Sequence, residues 1–492
     1  MLSLVLSVKN AFAPVNKIPP EVLTLIPDYW ENNSDDGALI GLTHVCRGWR
    51  ELFISRPSLW TRLDCINVDK TRAYIERSKT SPLKICLGES NGDAFSTEEA
   101  VLLAVPHFGR LGTLSALGSS IVDLPVLVEH FSCSVPLLSR LEISFICNED
   151  PILSKSLFNG DLSSLRELVL AGVITTLPWR GLSKLTTFNL YRVPEDNILL
   201  TQLLDFFESA PHLRHIQLHD SIPTSRNAPT DRVVSLPHLK DLSIIAQPAH
   251  SILLNHLSIP AGALLRLEFT YSGKESPIPS YLPNPPDRLH NISHITTVNL
   301  RLASEQRSVR LSGPSGELYV LGRWTRGDDK PYKGIETFLR SLRRFDISRT
   351  RWLTVTLYSL RPPSPPTTGW TTYRIFRSMK NLRTLTLSRC NNLEFILALN
   401  PSKNTSKTMP CPRLEEIILY IQRPDQLHVN ELLGMVEERA SGGVKLLAIT
   451  IVSTEAFAPT KEVFQLRKHV SRLEYRFDDA PPKWDTLPSG VV

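Results

Sequence analysis

Apolar residues recur along most of this chain in one short pattern: an apolar residue, two other residues, a second apolar residue, one other residue, and a third apolar residue. The pattern begins weakly at Leu111/Leu114. Alternating apolar positions are typical of a β-strand with one buried face, so each copy predicts one strand. The complete copies are Leu138/Leu141/Ile143, Leu165/Leu168/Leu170, Leu185/Phe188/Leu190, Leu213/Ile216/Leu218, Leu239/Leu242/Ile244, Leu264/Leu267/Phe269, Ile295/Val298/Leu300, Leu342/Phe345/Ile347, Leu382/Leu385/Leu387, Leu414/Ile417/Leu419, Val444/Leu447/Ile449 and a last one at Val470/Leu473/Tyr475.

The spacing of these copies predicts a repeat architecture. The first complete copies start 27, 20, 28, 26, 25 and 31 residues apart, close to the ~20–29 residues typical of leucine-rich repeats. One repeat cannot bury its strand face alone, so neighbouring repeats must stack. The long interval between Ile295 and Leu342 leaves room for a degenerate copy around 318–321.

We therefore expect an α/β fold, an irregular solenoid with a curved, mostly parallel sheet and helices on its outer face. Helical patterns at 197–208 and 425–438 are candidates for those helices. The alternative is that the pattern arises by chance in a Leu-rich α/β protein. The ordered succession of copies disfavours it.

The segment before the repeats predicts short amphipathic helices. Pro20 suits the first position of a helix, where a missing N–H costs nothing. Val22, Leu23 and Ile26 then share one helical face. Pro27 is expected to stop or kink this helix near Ile26.

A second helix is predicted to begin at Asp35 or Asp36, which are N-cap candidates. Pro57 ends its pattern and opens a short turn that carries Trp60. Because about forty residues in three short helices cannot bury this much apolar surface, such a module usually offers part of it to another protein. The alternative is an N-terminal helical cap packed on its own chain. The apolar stripe of the second helix consists of Leu39, Leu42, Cys46, Trp49 and Phe53.

These segments resemble an F-box. The family pattern has a hydrophobic-Pro-x-Glu start, a hydrophobic helix, a Val-Cys-x-x-Trp segment and a closing Pro-x-Leu-Trp. The corresponding segments here are 18–21, 22–26, 45–49 and 57–60. Pro27 departs from the family pattern, in which the first helix continues. The resemblance implies that the module docks on a Skp-type adaptor through Pro19, Val22, Leu23, Ile26, Val45 and Trp49, of which Trp49 is also a candidate for the module's own core.

The chain as a whole resembles the large group of fungal F-box proteins with irregular leucine-rich repeats. The resemblance includes 71–78 and 466–470, and Cys390 fills the ladder position of the repeat family. It implies a substrate-recognition subunit of an SCF-type cullin–RING ubiquitin ligase, bound through the adaptor to the cullin and through the repeats to an unknown protein target. The alternative is a non-catalytic repeat protein, an interaction partner or scaffold that is not coupled to degradation.

Residues between the core positions of each strand are expected to face away from the core. In a leucine-rich solenoid that face lines the inside of the curve, which makes it the predicted target-binding face. Any solvated sheet face has a similar mixed polar pattern, so the alternative reading stays open. The predicted residues are Arg140, Glu142, Asn189, His215, Gln217, His219, Arg266, Asn299, Arg301 and Arg344.

The sequence predicts neither an enzyme nor a cofactor. It contains no Gly-rich phosphate loop and no Gly-x-Ser-x-Gly motif. His290 and His294 are four residues apart, but a metal site needs a third ligand, and a strand entry is the favoured reading. The most basic stretch, 323–351, is interpreted as a solvated helical face around 338–344 rather than an anion site.

Composition narrows the class of protein. The chain has 492 residues, is 42% hydrophobic and carries a net charge of +6. No apolar run approaches the ~20 residues of a membrane span, and the weak charge does not predict a nucleic-acid binder. The seven cysteines are odd in number and form no Cys-x-x-Cys. Reduced thiols are therefore expected, and with them a cytoplasmic or nuclear protein.

The predicted organisation follows from these segments. An N-terminal extension (1–17) and the F-box-like module (18–62) precede a bridging segment (63–110) with a helix over 71–78 and a strand near 83–87. The repeats occupy 111–478, and a tail covers 479–492. Pro-rich runs near 277–286 and 362–366 predict loops that project from the solenoid.

Overall fold

A computed structural model shows an α/β protein whose chain divides into two compact units, Met1–Pro223 and Thr224–Val492. The described residues are 12–26, 36–88, 96–118, 131–145, 152–153, 158, 162–175, 182–192, 199–221, 232–246, 253–271, 286–303, 306–324, 342, 345–358, 369–388, 392–400, 409–422, 427–454 and 461–477. The tail 479–492, Cys390, Pro27 and nearly all of both predicted Pro-rich loops lie outside them.

The first unit begins with a helical module. A 3-10 turn at Pro14–Lys17 precedes α1 (Pro20–Leu23), and Pro20 opens this helix as predicted. The helix ends at Leu23, before Ile26, and Thr24 at its C-cap position donates a side-chain hydrogen bond to the carbonyl oxygen of Glu21. A further 3-10 turn at Pro57–Trp60 closes the module, as the sequence predicted.

The prediction of one continuous second helix is wrong. The structure has two helices, α2 (Asp36–Val45) and α3 (Arg47–Ile54), with Cys46 between them in an extended conformation. The Cys46 thiol caps α3 by accepting a hydrogen bond from the backbone N–H of Trp49, at 3.5 Å. A short polar side chain that satisfies a free N–H at a helix start favours such a break.

The predicted apolar stripe nevertheless builds the core of the module. Leu23, Leu42, Trp49 and Phe53 are buried against one another. The Trp60 indole donates to the carbonyl oxygen of Phe53 at 2.9 Å, which fixes the closing turn on α3. Partly buried residues that pack on this core are Ile18, Ile26, Cys46, Leu52 and Leu59.

The rest of the first unit alternates strands and helices. Its described elements are β1 (Arg62–Leu63), α4 (Val68–Ser78), β2 (Leu83–Gly88), α5 (Glu98–Ala104), β3 (Leu111–Gly118), β4 (Arg140–Phe145), β5 (Ile152–Leu153), β6 (Glu167–Ala171), β7 (Ile174–Thr175), β8 (Thr187–Tyr191), α6 (Leu200–Ser209) and β9 (His215–His219). The strands pair in parallel in the order β1-β2-β3-β4-β6-β8-β9, and β5 pairs with β7. The predicted helix at 71–78 and the predicted strands of this unit are confirmed.

The second unit continues this pattern. Its described elements are β10 (Val234–Ser235), β11 (Asp241–Ala246), β12 (Leu257–Ser258), β13 (Leu264–Tyr271), β14 (Thr297–Ala303), β15 (Gln306–Gly313), β16 (Gly316–Trp324), β17 (Trp352–Tyr358), α7 (Gly369–Ser378), β18 (Thr384–Ser388), α8 (Asn392–Leu399), β19 (Glu416–Ile421), α9 (Val429–Ser441), β20 (Ala448–Ser453), α10 (Lys461–Gln465) and β21 (Arg472–Phe477). Strands β17 to β21 pair in parallel in chain order, and β10 pairs with β12.

A three-stranded meander interrupts the repeats of the second unit. Strands β14, β15 and β16 are antiparallel neighbours, whereas β16 pairs in parallel with β13 and β14 pairs in parallel with β17. The predicted degenerate copy around 318–321 is therefore a strand, β16. It belongs to the antiparallel meander and pairs with β15 as well as with the repeat strand β13. Gly316, with φ +125°, closes the turn where an added Cβ would lie 2.6 Å from the Ala263 carbonyl oxygen.

Two predicted copies are wrong in register or type. Phe345 and Ile347 do not lie in a strand. The strand of this repeat is β17, which begins a few residues later at Trp352. Leu447 is 52% exposed and Leu446 is buried, so that copy is Leu446/Ile449/Ile451. In contrast, several leucines predicted as core are buried, namely Leu141, Leu168, Leu170, Leu242, Leu385, Leu387 and Leu419.

Candidate protein-binding surfaces

The N-terminal module exposes apolar side chains although its own core is filled. Val22 and Leu25 are 49% and 50% exposed, and they lie one helical turn apart, with Leu25 N–H donating to the Val22 carbonyl oxygen. Pro19 is exposed beside them, and Val45 is 51% exposed at the end of α2. We call Pro19, Val22 and Leu25 the N-terminal apolar patch.

The structure separates the six predicted adaptor-binding residues into two groups. Pro19, Val22 and Val45 are exposed, so their docking role stays a prediction. Leu23 and Trp49 are buried in the module's core, and Ile26 is partly buried against it. These three side chains therefore pack beneath the exposed residues, in or against the core of the module.

Leu25 was missed by the sequence analysis. A helix continuing to Ile26 would place Val22, Leu23 and Ile26 on one face and Leu25 on another, so the predicted docking face did not include Leu25. The spacing of three between Val22 and Leu25 was the available signal.

Trp49 has a second function in the module. Its indole N–H donates to the Asn16 side-chain oxygen at 2.7 Å, which ties the turn Pro14–Lys17 to α3. Arg50 donates to the Thr43 carbonyl oxygen at 3.0 Å and bridges α2 and α3. These hydrogen bonds hold the turn that directly precedes the patch, and helices α2 and α3, in fixed positions.

In the first unit, the predicted target-binding residues form rows across the parallel strands. Strand register aligns Arg140 with Glu167, Thr187 and His215. The next row runs from Glu142 through Val169 to Asn189 and Gln217, and His219 aligns with Tyr191. The structure therefore brings together Arg140, Glu142, Asn189, His215, Gln217 and His219 on one sheet face.

Ion pairs largely neutralise this first face. Arg140 contacts Glu167 at 2.7 Å and Glu142 at 3.0 Å. Burial works against the charged guanidinium, but these two carboxylates outweigh it and raise the pKa of Arg140. Glu167 was missed by the sequence analysis, although it precedes Leu168 just as Arg140 precedes Leu141.

Further polar contacts connect the last strands of this face. The Tyr191 hydroxyl donates to the Gln217 side chain, and the Tyr191 and His219 rings meet edge-on at 6.1 Å. His219 lies 3.3 Å from the Asp220 carboxylate. The side-chain oxygen of Asn189 is buried and has no hydrogen-bond partner among the described residues.

In the second unit, three predicted residues share another sheet face. Arg266 and Asn299 lie in one row, with Tyr319 and Arg310 between them, and Arg301 follows Asn299 by two residues. Arg310 was missed because the repeat pattern gave no sign of the meander; the alternation of Val309 and Leu311 before a Gly-Pro-Ser-Gly turn was the available signal. Arg344 lies outside the described residues.

Several other ionisable side chains are buried or bound to backbone carbonyls and therefore stabilise the fold. Arg439 is fully buried and donates to the carbonyl oxygens of Pro410 and Cys411, both at 2.8 Å. Arg110 donates to the Ser81 carbonyl oxygen at 2.7 Å, just beyond the end of α4. Burial raises the pKa of the Cys65 and Cys411 thiols to about 12, so they stay protonated at neutral pH.

The described residues form neither a metal-ion site nor a membrane-spanning helix. Among these residues, no group of three or more His, Cys, Asp and Glu side chains is placed to hold a metal ion. His294, one of the two histidines considered for a metal, pairs with the Arg349 guanidinium at 2.7 Å. No helix in the described part of the chain is long and apolar enough to cross a membrane.

Comparison with protein-family models gives no match for this chain, and comparison with curated proteins gives none either.

Proposed function

We propose that this protein is the substrate-recognition subunit of an SCF-type cullin–RING ubiquitin ligase. In this proposal the N-terminal module is an F-box that binds a Skp-type adaptor, and the sheet faces of an irregular leucine-rich-repeat solenoid bind the target. The observation that carries the proposal is the N-terminal apolar patch. Its side chains remain exposed on a small module whose core is already complete.

Exposed apolar side chains of this size favour a protein partner over solvent. Burying a Val or Leu side chain contributes about 1.5–3 kcal/mol relative to exposure. Val22, Leu25 and Val45 are each about half exposed, so docking would recover part of that contribution at each. The sequence resemblance to an F-box supplies the kind of partner.

Such a receptor needs no catalytic residue and no cofactor. It acts by proximity, because holding a target beside the conjugating enzyme raises the effective concentration of the target's lysines. The two polar sheet faces, with their mixed charges, suit recognition of a protein surface. The proposed localisation is the cytoplasm or the nucleus, where the other subunits of such a ligase are found.

Co-purification with a Skp-type adaptor tests the docking face. Val22→Glu/Leu25→Glu places two charges in the proposed interface, where they would be desolvated without a partner. We expect about a hundredfold or greater loss of adaptor affinity, measured by calorimetry on purified proteins.

Leu447→Glu is the matched control, because Leu447 is equally exposed but lies far along the chain in the second unit. It should bind the adaptor like the wild type. Unchanged adaptor binding by Val22→Glu/Leu25→Glu, with the module shown to be folded, would refute the proposed docking face.

A further inference from the structure

Arginines concentrate on one face of the second unit, where the meander joins the sheet. The strands lie in the order β13-β16-β15-β14. Their outward positions alternate with buried apolar residues such as Leu267 and Val320. The outward charged residues of these four strands are Arg266, Glu268, Glu317, Arg323, Arg310 and Arg301. We call Arg266, Arg301, Arg310 and Arg323 the arginine cluster.

The two glutamates that contact the arginine cluster, Glu268 and Glu317, are less exposed than their arginine partners. Arg323 contacts Glu268 at 2.6 Å, with side chains 52% and 24% exposed. Arg310 contacts Glu317 at 2.8 Å, with side chains 49% and 22% exposed. The guanidinium groups therefore face solvent more than the carboxylates do, and the surface presents positive charge.

The positive charge of this region is not balanced within the four strands. On the outward face of these strands four arginines oppose two glutamates, and the neighbouring strand β11 adds only Asp241, in the row of Glu317. Elsewhere on the described sheet faces the charges balance more closely. In β19–β21, Arg472 and Arg476 contact Glu416 and Glu474. In the first unit, Arg140 contacts two glutamates.

Tyr319 lies at the centre of the cluster, aligned with Arg266 on one side and Arg310 on the other. Burial raises its pKa, which outweighs the opposing effects of a hydrogen bond to Ser308 and of the nearby Arg301. The phenol is therefore neutral at physiological pH, and its hydroxyl also lies within hydrogen-bonding reach of Ser308. A neutral O–H in a row of arginines suits a carboxylate ligand.

The spacing of the cluster fits an extended peptide. Neighbouring strands are about 4.8 Å apart, so Arg266 and Arg310, separated by one strand, have Cα atoms about 10 Å apart. An extended chain rises about 3.3 Å per residue, so acidic residues about three positions apart reach both arginines. Bidentate pairing with planar guanidinium groups favours carboxylates held in such a series.

We propose that the arginine cluster binds an acidic, Asp/Glu-rich segment of the target protein. This inference rests on the proposed function and names the chemistry of its target. The four arginines supply the attraction, Tyr319 supplies a neutral donor, and the two glutamates below them orient the guanidinium groups.

A peptide-binding measurement on the full chain tests the inference without the adaptor. The probe is a fluorescently labelled peptide of about ten residues with Glu at every third position and Gly between them, the Glu-Gly peptide, and binding is followed by anisotropy. The wild type should bind it several-fold more weakly at about 300 mM than at about 50 mM salt. A Gln-Gly peptide of equal length should show no binding.

The test variant is Arg266→Gln/Arg310→Gln/Arg323→Gln, which should weaken binding of the Glu-Gly peptide about tenfold. Arg472→Gln/Arg476→Gln is the control, because it removes two guanidinium groups from strands of the same unit whose arginines are balanced by Glu416 and Glu474. It should change the affinity by less than about twofold.

Four results would overturn the inference. Three of them are equal binding of the Gln-Gly peptide, wild-type affinity in the triple variant, and tighter, cluster-dependent binding of a single-stranded oligonucleotide. Asp328 and Asp329 follow β16 in sequence. If the peptide binds only after Asp328→Asn/Asp329→Asn, the arginine cluster binds this chain's own acidic segment, and that result would also overturn the inference. Adaptor binding is measured separately, so failure here leaves the proposed function standing.

Discussion

Leu23→Glu is expected to unfold the N-terminal module, whereas Val22→Glu is expected to leave it folded. Leu23 is 4% exposed in the core with Trp49 and Phe53, and Val22 is 49% exposed. Burying an unpaired carboxylate there should cost at least about 3 kcal/mol, while a surface substitution usually changes stability by less than about 0.5 kcal/mol. Hydrogen exchange of the amides in α2 and α3 measures the difference.

These neighbouring substitutions separate loss of folding from loss of docking. Both should lose adaptor binding, but only Leu23→Glu should lose protection of α2 and α3. Equal protection in the two variants would mean that Leu23 does not support the module. A substitution at Leu23 alone therefore says little about docking.

Phe188→Ala is expected to destabilise the first unit by about 3–5 kcal/mol. Phe188 is fully buried in β8 and packs on α6, with its ring centre 4.5 Å from that of Phe206 and 6.5 Å from that of Phe207. Truncation removes these ring contacts and leaves a cavity in a close-packed interior. Urea denaturation followed by circular dichroism gives the change in the free energy of unfolding.

Thr187→Ala serves as the control for Phe188→Ala. Thr187 is the preceding residue on β8, and its side chain points to the opposite, half-buried face. Its loss should change stability by less than about 0.5 kcal/mol. Similar losses in the two variants would contradict the assignment of one core face and one polar face to this strand.

The strands were predictable where only one register places apolar side chains on a single face. Leu141 and Ile143 in β4, and Leu385 and Leu387 in β18, are examples. The sequence failed where neighbouring leucines allow two registers, as at Leu446 and Leu447. The meander was missed because one strand per repeat was assumed throughout.

The proposed binding surfaces were less predictable than the core. Which residues in and just after α1 are exposed depends on where the helix ends, and it ends at Leu23, with Thr24 at the C-cap position, rather than near Ile26. The arginine cluster depends on β16 returning to pair with β13, a long-range contact that no local pattern records. Single residues such as Arg266 were found, but their convergence with Arg310 and Arg323 was not.

Ubiquitin transfer to a captured partner tests the central claim most directly. The reaction contains the chain, a Skp-type adaptor, a cullin–RING scaffold, a charged conjugating enzyme and a partner recovered on the chain. We predict ubiquitin on the partner with the wild type and with Leu447→Glu, and none with Val22→Glu/Leu25→Glu although the partner stays bound. A partner that is bound together with the adaptor yet remains unmodified would contradict the ligase account and favour a scaffold that is not coupled to degradation.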